Sequence, residues 1–407
     1  MFGFLRKRKR DAISYPREFW ILFWGVGINR VTASMIWPFL TVYMYMTLDV
    51  PLTTITLLFP LRAISSVLST AVVSPIMDHT GRKGMMIFGL IASGLVFFAM
   101  AVATTLPIWA LILFAFGAVL PIFNIGVNTM VADIVPQADR APAYALIRTI
   151  SNAGIAIGPV VGGILAVISF QLVFVLTGLS YLVLSVLTFF FVPETIPDNP
   201  DSKRGGLLSS GYGFLKDDMR FVWFMGIFFL LLMAYAHMFA LLPVYVSENF
   251  GLREDQYSLM LTVNAGMVVF FQYAITRFTE RFDDYYVMTL GASIYAMGLF
   301  SFVLGSELWH FMLSVSIVTL GELVVVPTAT TLVANIAPDN MRARYLGVLS
   351  LGYPIGSGLG PVIGGYLNDT FAPVAMWYGA GTMALVATMG FVLLTYFRRR
   401  KPLPVPS

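Results

Sequence analysis

Four charged side chains stand inside otherwise apolar stretches of this chain: Arg30, Arg62, Arg148 and Glu322. An arginine keeps its charge at any depth. An ionised group at the centre of a lipid-spanning helix costs ~2.5–3.5 kcal/mol on insertion scales. Each of the four must therefore be paired, hydrated or turned toward a shared polar interior. Glu322 lies about twelve residues from either end of its apolar stretch, which is ~18 Å of helix. A carboxyl group can also shed its charge by taking a proton, so Glu322 is the candidate proton carrier; the bland reading is a static ion pair with Arg30 or Arg62. Neutral polar residues accompany them. Asn29 adjoins Arg30, Arg148 and Asn152 share a helix face one turn apart, and so do Asn124 and Asn128. His237, Asn264 and Gln272 contribute from the second half of the chain. Together these residues outline a central polar cavity of net positive charge, partly offset by Glu322. That charge favours a substrate with anionic or polar groups, or uses the arginines to regulate Glu322. Each amide alone also fits an ordinary interhelical hydrogen bond.

Other chemistry is excluded. There is no cysteine, and the only histidines are His79, His237 and His310. Disulfides and thiolate metal sites are ruled out, and no HExxH, GxSxG or phosphate-loop pattern is present. No catalytic constellation, metal site or cofactor site is expected.

The elements that position the charged residues must lie in a bilayer. Of 407 residues, 58% are hydrophobic and 11% charged, less than half the ~25% charged of a soluble domain. One core could not hide that much apolar surface. Twelve stretches reach the ~20 apolar residues a span needs: 19–46, 54–77, 85–104, 107–131, 141–166, 171–192, 219–246, 256–279, 284–305, 308–333, 342–368 and 373–397. The first is too long for a signal peptide and no small-residue cleavage site ends it, so it reads as a retained helix. The expected organisation is a basic cytoplasmic N-terminus (1–18), a six-helix bundle (19–192), a polar cytoplasmic linker (193–218), a second six-helix bundle (219–397) and a basic cytoplasmic tail (398–407). The fold class is all-α, with twelve transmembrane helices in two pseudo-symmetric bundles.

Charge placement supports that count. With the N-terminus in the cytoplasm, 21 of the 25 Lys/Arg fall on the cytoplasmic side, Arg253 alone falls outside, and three lie within helices. The outer loops carry Asp49, Glu248, Glu254, Asp255, Glu307 and Asp369 instead. One missed helix would invert everything after it and destroy this pattern. The basic balance is thus topological, and a nucleic-acid partner is not implied. Trp20, Trp109 and Trp223 near helix ends read as interface anchors.

An internal repeat relates the halves. Gly154-xxx-Gly158-Pro159-xx-Gly162-Gly163 recurs 202 residues later as Gly356-xxx-Gly360-Pro361-xx-Gly364-Gly365. The same offset carries Arg140 onto Arg342, Pro136 onto Pro338, Tyr43 onto Tyr245 and Asp78 onto Glu280. Small residues spaced by four let helices approach closely, and the expected contact is between the halves. Parallel repeats of this kind are a transporter plan.

Several motifs resemble those of the major facilitator superfamily. Ser74 to Lys83, with Asp78, Gly81, Arg82 and Lys83, is similar to its motif A. The resemblance implies a cytoplasmic charge lock in which Asp78 faces the N-terminus of the eleventh helix and Arg82 pairs with Asp133. Ser74 stands for the family's glycine and His79 for its basic residue, and the triad is not repeated in the second half, where Asp284 and Asn335 occupy the equivalent places. The Gly-Pro repeats resemble the antiporter-associated motif C. Thr319-Leu-Gly321-Glu322, with Pro327 and Arg342, resembles the bacterial drug:proton antiporter branch, although the arginine usual in that branch's fourth helix is missing from 111–124.

The resemblance implies a monomeric transporter in the inner cell membrane, with the bilayer, protons and a small molecule as its partners. The expected activity is proton-coupled efflux of amphipathic compounds or drugs by alternating access. Uptake or facilitated diffusion of a sugar, peptide or organic anion is the alternative, and a non-transporting sensor or scaffold the remote one.

Overall fold

The computed structural model describes residues 15–195, 215, 218–338 and 341–400. Most of the 193–218 linker, the basic run Arg6 to Arg10 and the end of the tail lie outside them. Among the described residues there are helices and no strand. Twelve spans are present: Arg17–Leu48, Leu52–Met77, Arg82–Val102, Leu106–Ile134, Pro142–Ile168, Phe170–Phe191, Met219–Ala240, Glu254–Thr279, Asp284–Leu304, Leu308–Ile336, Arg344–Thr370 and Ala375–Phe397. They are numbered one to twelve below. All twelve expected stretches are there.

The internal breaks follow the prolines. Span one stops at Ile36 and resumes at Leu40 across Pro38. Span two divides at Leu57 and Leu58, just before Pro60 in the first turn of the next segment. Span seven is followed by a separate helix, Leu242–Phe250, with Pro243 in its first turn. Proline has no N–H, so it is readily placed where a new helix starts, whereas Pro75, Pro121, Pro159, Pro327 and Pro361 lie inside continuous helices, as transmembrane bundles tolerate.

The packing obeys the repeat. In the first half span one packs on five, two on four, three on four and three on six; in the second, seven packs on eleven, eight on ten, nine on ten and nine on twelve. The halves meet along two seams, span five against eight and span two against eleven. The glycine motif accounts for much of this. A Cβ on Gly154 would press on Arg30, on Gly158 on Val31 and Ser34, and on Gly162 on Met35, all in span one. A Cβ on Gly356, Gly360 and Gly364 would meet Leu232, Met233 and His237 of span seven. Those partner residues are themselves 202 apart. The glycines thus join helices mainly inside each half, which corrects the expectation of contact between halves. Only the last glycine of each motif lies on a seam: Gly163 with Ser258 Oγ 2.6 Å from its notional Cβ, and Gly365 with Thr56 Oγ1 at 2.5 Å.

One anchor reading is also corrected. Trp20 and Trp223 are exposed, but Trp109 is fully buried, its ring 6.0 Å from that of Tyr43.

Candidate functional site

Glu322 sits midway along span ten. Asn264 of span eight donates from Nδ2 to its Oε2 at 2.8 Å and also to Thr319 Oγ1 at 2.9 Å. The Tyr235 hydroxyl of span seven approaches the same carboxylate. No ion pair among the described residues includes Glu322, so the static pairing with Arg30 or Arg62 is not formed.

The arginines have neutral partners. Arg30 donates from a terminal nitrogen to Asn124 Oδ1 of span four at 3.1 Å. Arg62 donates to Ser357 Oγ of span eleven at 2.9 Å, a bond between the halves. Its guanidinium also lies 4.2 Å over the Trp37 ring, a cation–π contact. Tyr353, one turn before Ser357, lies within electrostatic range of both Glu322 and Arg148. Arg148 thus lies near Tyr353, and its side chain is exposed, as is that of Asn152 one turn on. Spans two, five, seven, eight, ten and eleven thus contribute to a polar region that crosses the division between the halves, while Arg30 and Asn124 join spans one and four within the first half.

Other candidates are placed elsewhere. Asn29 is buried beside Tyr181 of span six. His237 is fully buried, with Nδ1 2.9 Å from the Met233 carbonyl. Gln272 donates to the Leu323 carbonyl and to Thr276 Oγ1, both at 3.0 Å. These three find their partners within their own half. Asn128 is exposed, and its backbone carbonyl accepts from Tyr144 at 2.8 Å.

At the face carrying the basic residues, Gly81 has φ 101°, a value glycine adopts without strain. The turn brings Arg82 Nε to 3.2 Å from Asp133 Oδ2. Reading the sequence alone missed a third element, Glu194 after span six. Its Oε1 accepts from the Arg82 backbone N–H at 2.7 Å and its Oε2 from that of Lys83 at 3.2 Å, capping span three. Thr195 donates to Asp133 Oδ2 at 3.1 Å. The Asp78 side chain lies outside what the structure describes, so its expected contact with span eleven is not placed. Tyr235, Tyr353, Ser357 and Trp37 were missed as well. Their only signal was a polar or amphipathic group inside an apolar span, with Tyr353 and Ser357 at i, i+4.

Twelve spans in two repeated bundles around an interhalf polar region define a polytopic membrane transporter. Residues 22–253 and 224–407 each match the profile of the Major Facilitator Superfamily, and the chain belongs to that family. It is 25% identical over 356 residues to a Na(+), Li(+), K(+)/H(+) antiporter of Planococcus maritimus, covering 79% of this chain and 82% of that one. It is 23% identical to the quinolone resistance protein NorA of Staphylococcus aureus, covering 92% and 96%. The nucleoside transporter NupG shares the fold with a TM-score of 0.79 at 15% identity, over 93% of this chain and 99% of that one. Members of the family are transporters, not enzymes.

Proposed function

We propose that the protein is a proton-coupled exporter of small amphipathic molecules, working by alternating access. The observation that carries the reading is Glu322. It is an intramembrane carboxyl, held by Asn264 and Tyr235 and without a cationic partner among the described residues. A carboxyl held by neutral donors can gain and lose a proton without breaking an ion pair. Its neighbours come from spans seven and eight, so a change of charge there is felt by the elements that must move. Two relatives, a Na(+), Li(+), K(+)/H(+) antiporter and a quinolone resistance protein, support this reading.

In this proposal the basic face is cytoplasmic, both termini lie on that side, and the bundles of residues 19–192 and 219–397 rock about the polar region. Asp78, Gly81, Arg82, Lys83 and Asp133 form a lock on the cytoplasmic side. The protein acts as a monomer in the cell membrane.

The test is transport in proteoliposomes with an imposed pH gradient, scored for both directions of flux. Glu322→Gln keeps the size of the side chain and removes its titration. Gradient-driven transport should fall at least tenfold, with exchange at equal pH retained. Equal coupled transport by wild type and variant would remove Glu322 from the mechanism.

A further inference from the structure

The charges in the polar region do not balance. The spans hold three guanidiniums, Arg30, Arg62 and Arg148, and one carboxyl group, Glu322, and among the described residues none of the four is in an ion pair. The protein does form such a pair elsewhere, since buried Arg82 has Asp133 at 3.2 Å. Arg30 and Arg62 receive only the dipoles of Asn124 and Ser357 and the face of Trp37. Each also has a buried Nε without an acceptor. Glu322 is the reverse case, its oxygens already approached by Asn264 and Tyr235. Donors in the region are in surplus, and acceptors are lacking.

The two arginines are placed to share a ligand. Arg30 and Trp37 are seven residues apart on span one, so they lie on one helix face, about 10 Å apart along the axis. Arg62 rests on Trp37. An indole face thus lies beside one guanidinium, with a second two turns away. That arrangement suits an anionic headgroup carried on an apolar body.

We infer that the transported substrate is an amphipathic organic anion, a carboxylate, sulfonate or phosphate monoester, whose headgroup docks on Arg30 and Arg62 while its apolar part lies against Trp37. Ser357, from the other half, gives up its place on Arg62 to the ligand, so occupancy would loosen or replace the Arg62–Ser357 bond that ties spans two and eleven. The inference rests on the transport reading but names its substrate class.

The test uses purified protein in zwitterionic lipid nanodiscs and two fluorescent probes of equal tail length, a naphthalene sulfonate and a naphthyl trimethylammonium. The sulfonate should bind at least tenfold more tightly. Arg30→Gln and Arg62→Gln should each weaken the sulfonate about tenfold and leave the ammonium probe unweakened. Arg62→Lys should recover part of the preference, and exposed Arg253→Gln should change nothing. Equal or tighter binding of the ammonium by wild type overturns the inference without reliance on any variant, and so does an undiminished sulfonate preference in both folded Gln variants. Gradient-driven flux of the same probes in proteoliposomes separates this from the parent reading. Coupled movement of the ammonium but not the sulfonate would remove only the anionic substrate. Tight sulfonate binding with no gradient-driven flux of either would keep the anionic site and remove the proton coupling.

Discussion

The two seams between the halves are related by the repeat, yet their ends at the acidic face are built differently. Gly163 packs on Ser258 in one and Gly365 on Thr56 in the other, with both glycines and both partners 202 residues apart. The helix N-termini beside them differ. Span eight brings its own acids, Glu254 and Asp255, in its first turn, and its Gln256 side chain accepts from the Arg253 N–H at 2.9 Å. The segment Leu52–Thr56 that opens span two has no acid of its own. Its Thr53 instead donates from both backbone N–H and Oγ1 to Asp369 Oδ2 of span eleven, at 2.7 and 2.6 Å. The residue equivalent to Asp369 in the other seam is Val167. Orphan N–H groups at a helix start must find acceptors. One seam satisfies them within a single half, and the other does so across the division. The first need not change if the halves rock as proposed. In the proposed alternating-access cycle the second would have to break for the acidic face to open, which makes the cross-capped seam the proposed latch and the self-capped seam the proposed pivot.

The strongest way to break this comparison is to make each seam permanent. The chain has no cysteine, so paired cysteines give cross-linking without background. Thr53→Cys with Asp369→Cys, joined by a short bis-thiol reagent, should abolish transport, and a reducible reagent should allow recovery. Val167→Cys with Asp255→Cys should slow transport only a few-fold. Equal inhibition by both pairs would erase the distinction between latch and pivot.

A smaller effect sharpens the shared part. Gly163→Ala and Gly365→Ala each press a methyl group on the facing hydroxyl, and overpacking of this kind costs ~1–3 kcal/mol. Both should favour the open acidic face, to a similar degree, because the packing is the same at the two seams. Spin labels on the loops after spans one and seven would read the shift as a population of longer distances. A change confined to one variant would show that the seams are not mechanically equivalent.

The repeat explains how much of this was legible. Gly154 to Gly163 and Gly356 to Gly365 carry their pairing partners at the same offset, so span count and internal symmetry follow from local spacing. Arg30, Arg62, Arg148 and Glu322 were legible because a charge among apolar residues must be accounted for wherever the helix points. Their partners were not. Arg62 meets Ser357 across 295 residues and Thr53 meets Asp369 across 316, and nothing local to either member encodes the other. Asn29 and Gln272 are polar residues in apolar spans as well, yet they find partners on neighbouring helices of their own half, and His237 finds one in its own helix. Residue type reports that a partner is required, and only packing decides whether it comes from a neighbour, the other half or a ligand. Trp109 failed as an anchor for the same reason: its place near a helix end says nothing about which side of the helix faces lipid.

The smallest expected effect tests the chemistry of the latch itself. Asp369→Ala removes the acceptor from Thr53, and loss of a cap costs ~0.5–2 kcal/mol. A shift of 1 kcal/mol changes a two-state population about fivefold, so the open acidic face should gain roughly that factor in the spin-label distances. Asp369→Asn keeps an acceptor oxygen, and Asn caps about as well as Asp, so its shift should be within about twofold of wild type. Thr53→Ala loses only the hydroxyl donor while the backbone bond survives, and should fall between the two. The order Asp369→Ala, Thr53→Ala, Asp369→Asn assigns the latch to hydrogen-bonded capping. If Asp369→Asn opened the face as far as Asp369→Ala, the charge rather than the cap would hold span two to span eleven, and the latch would weaken with added salt.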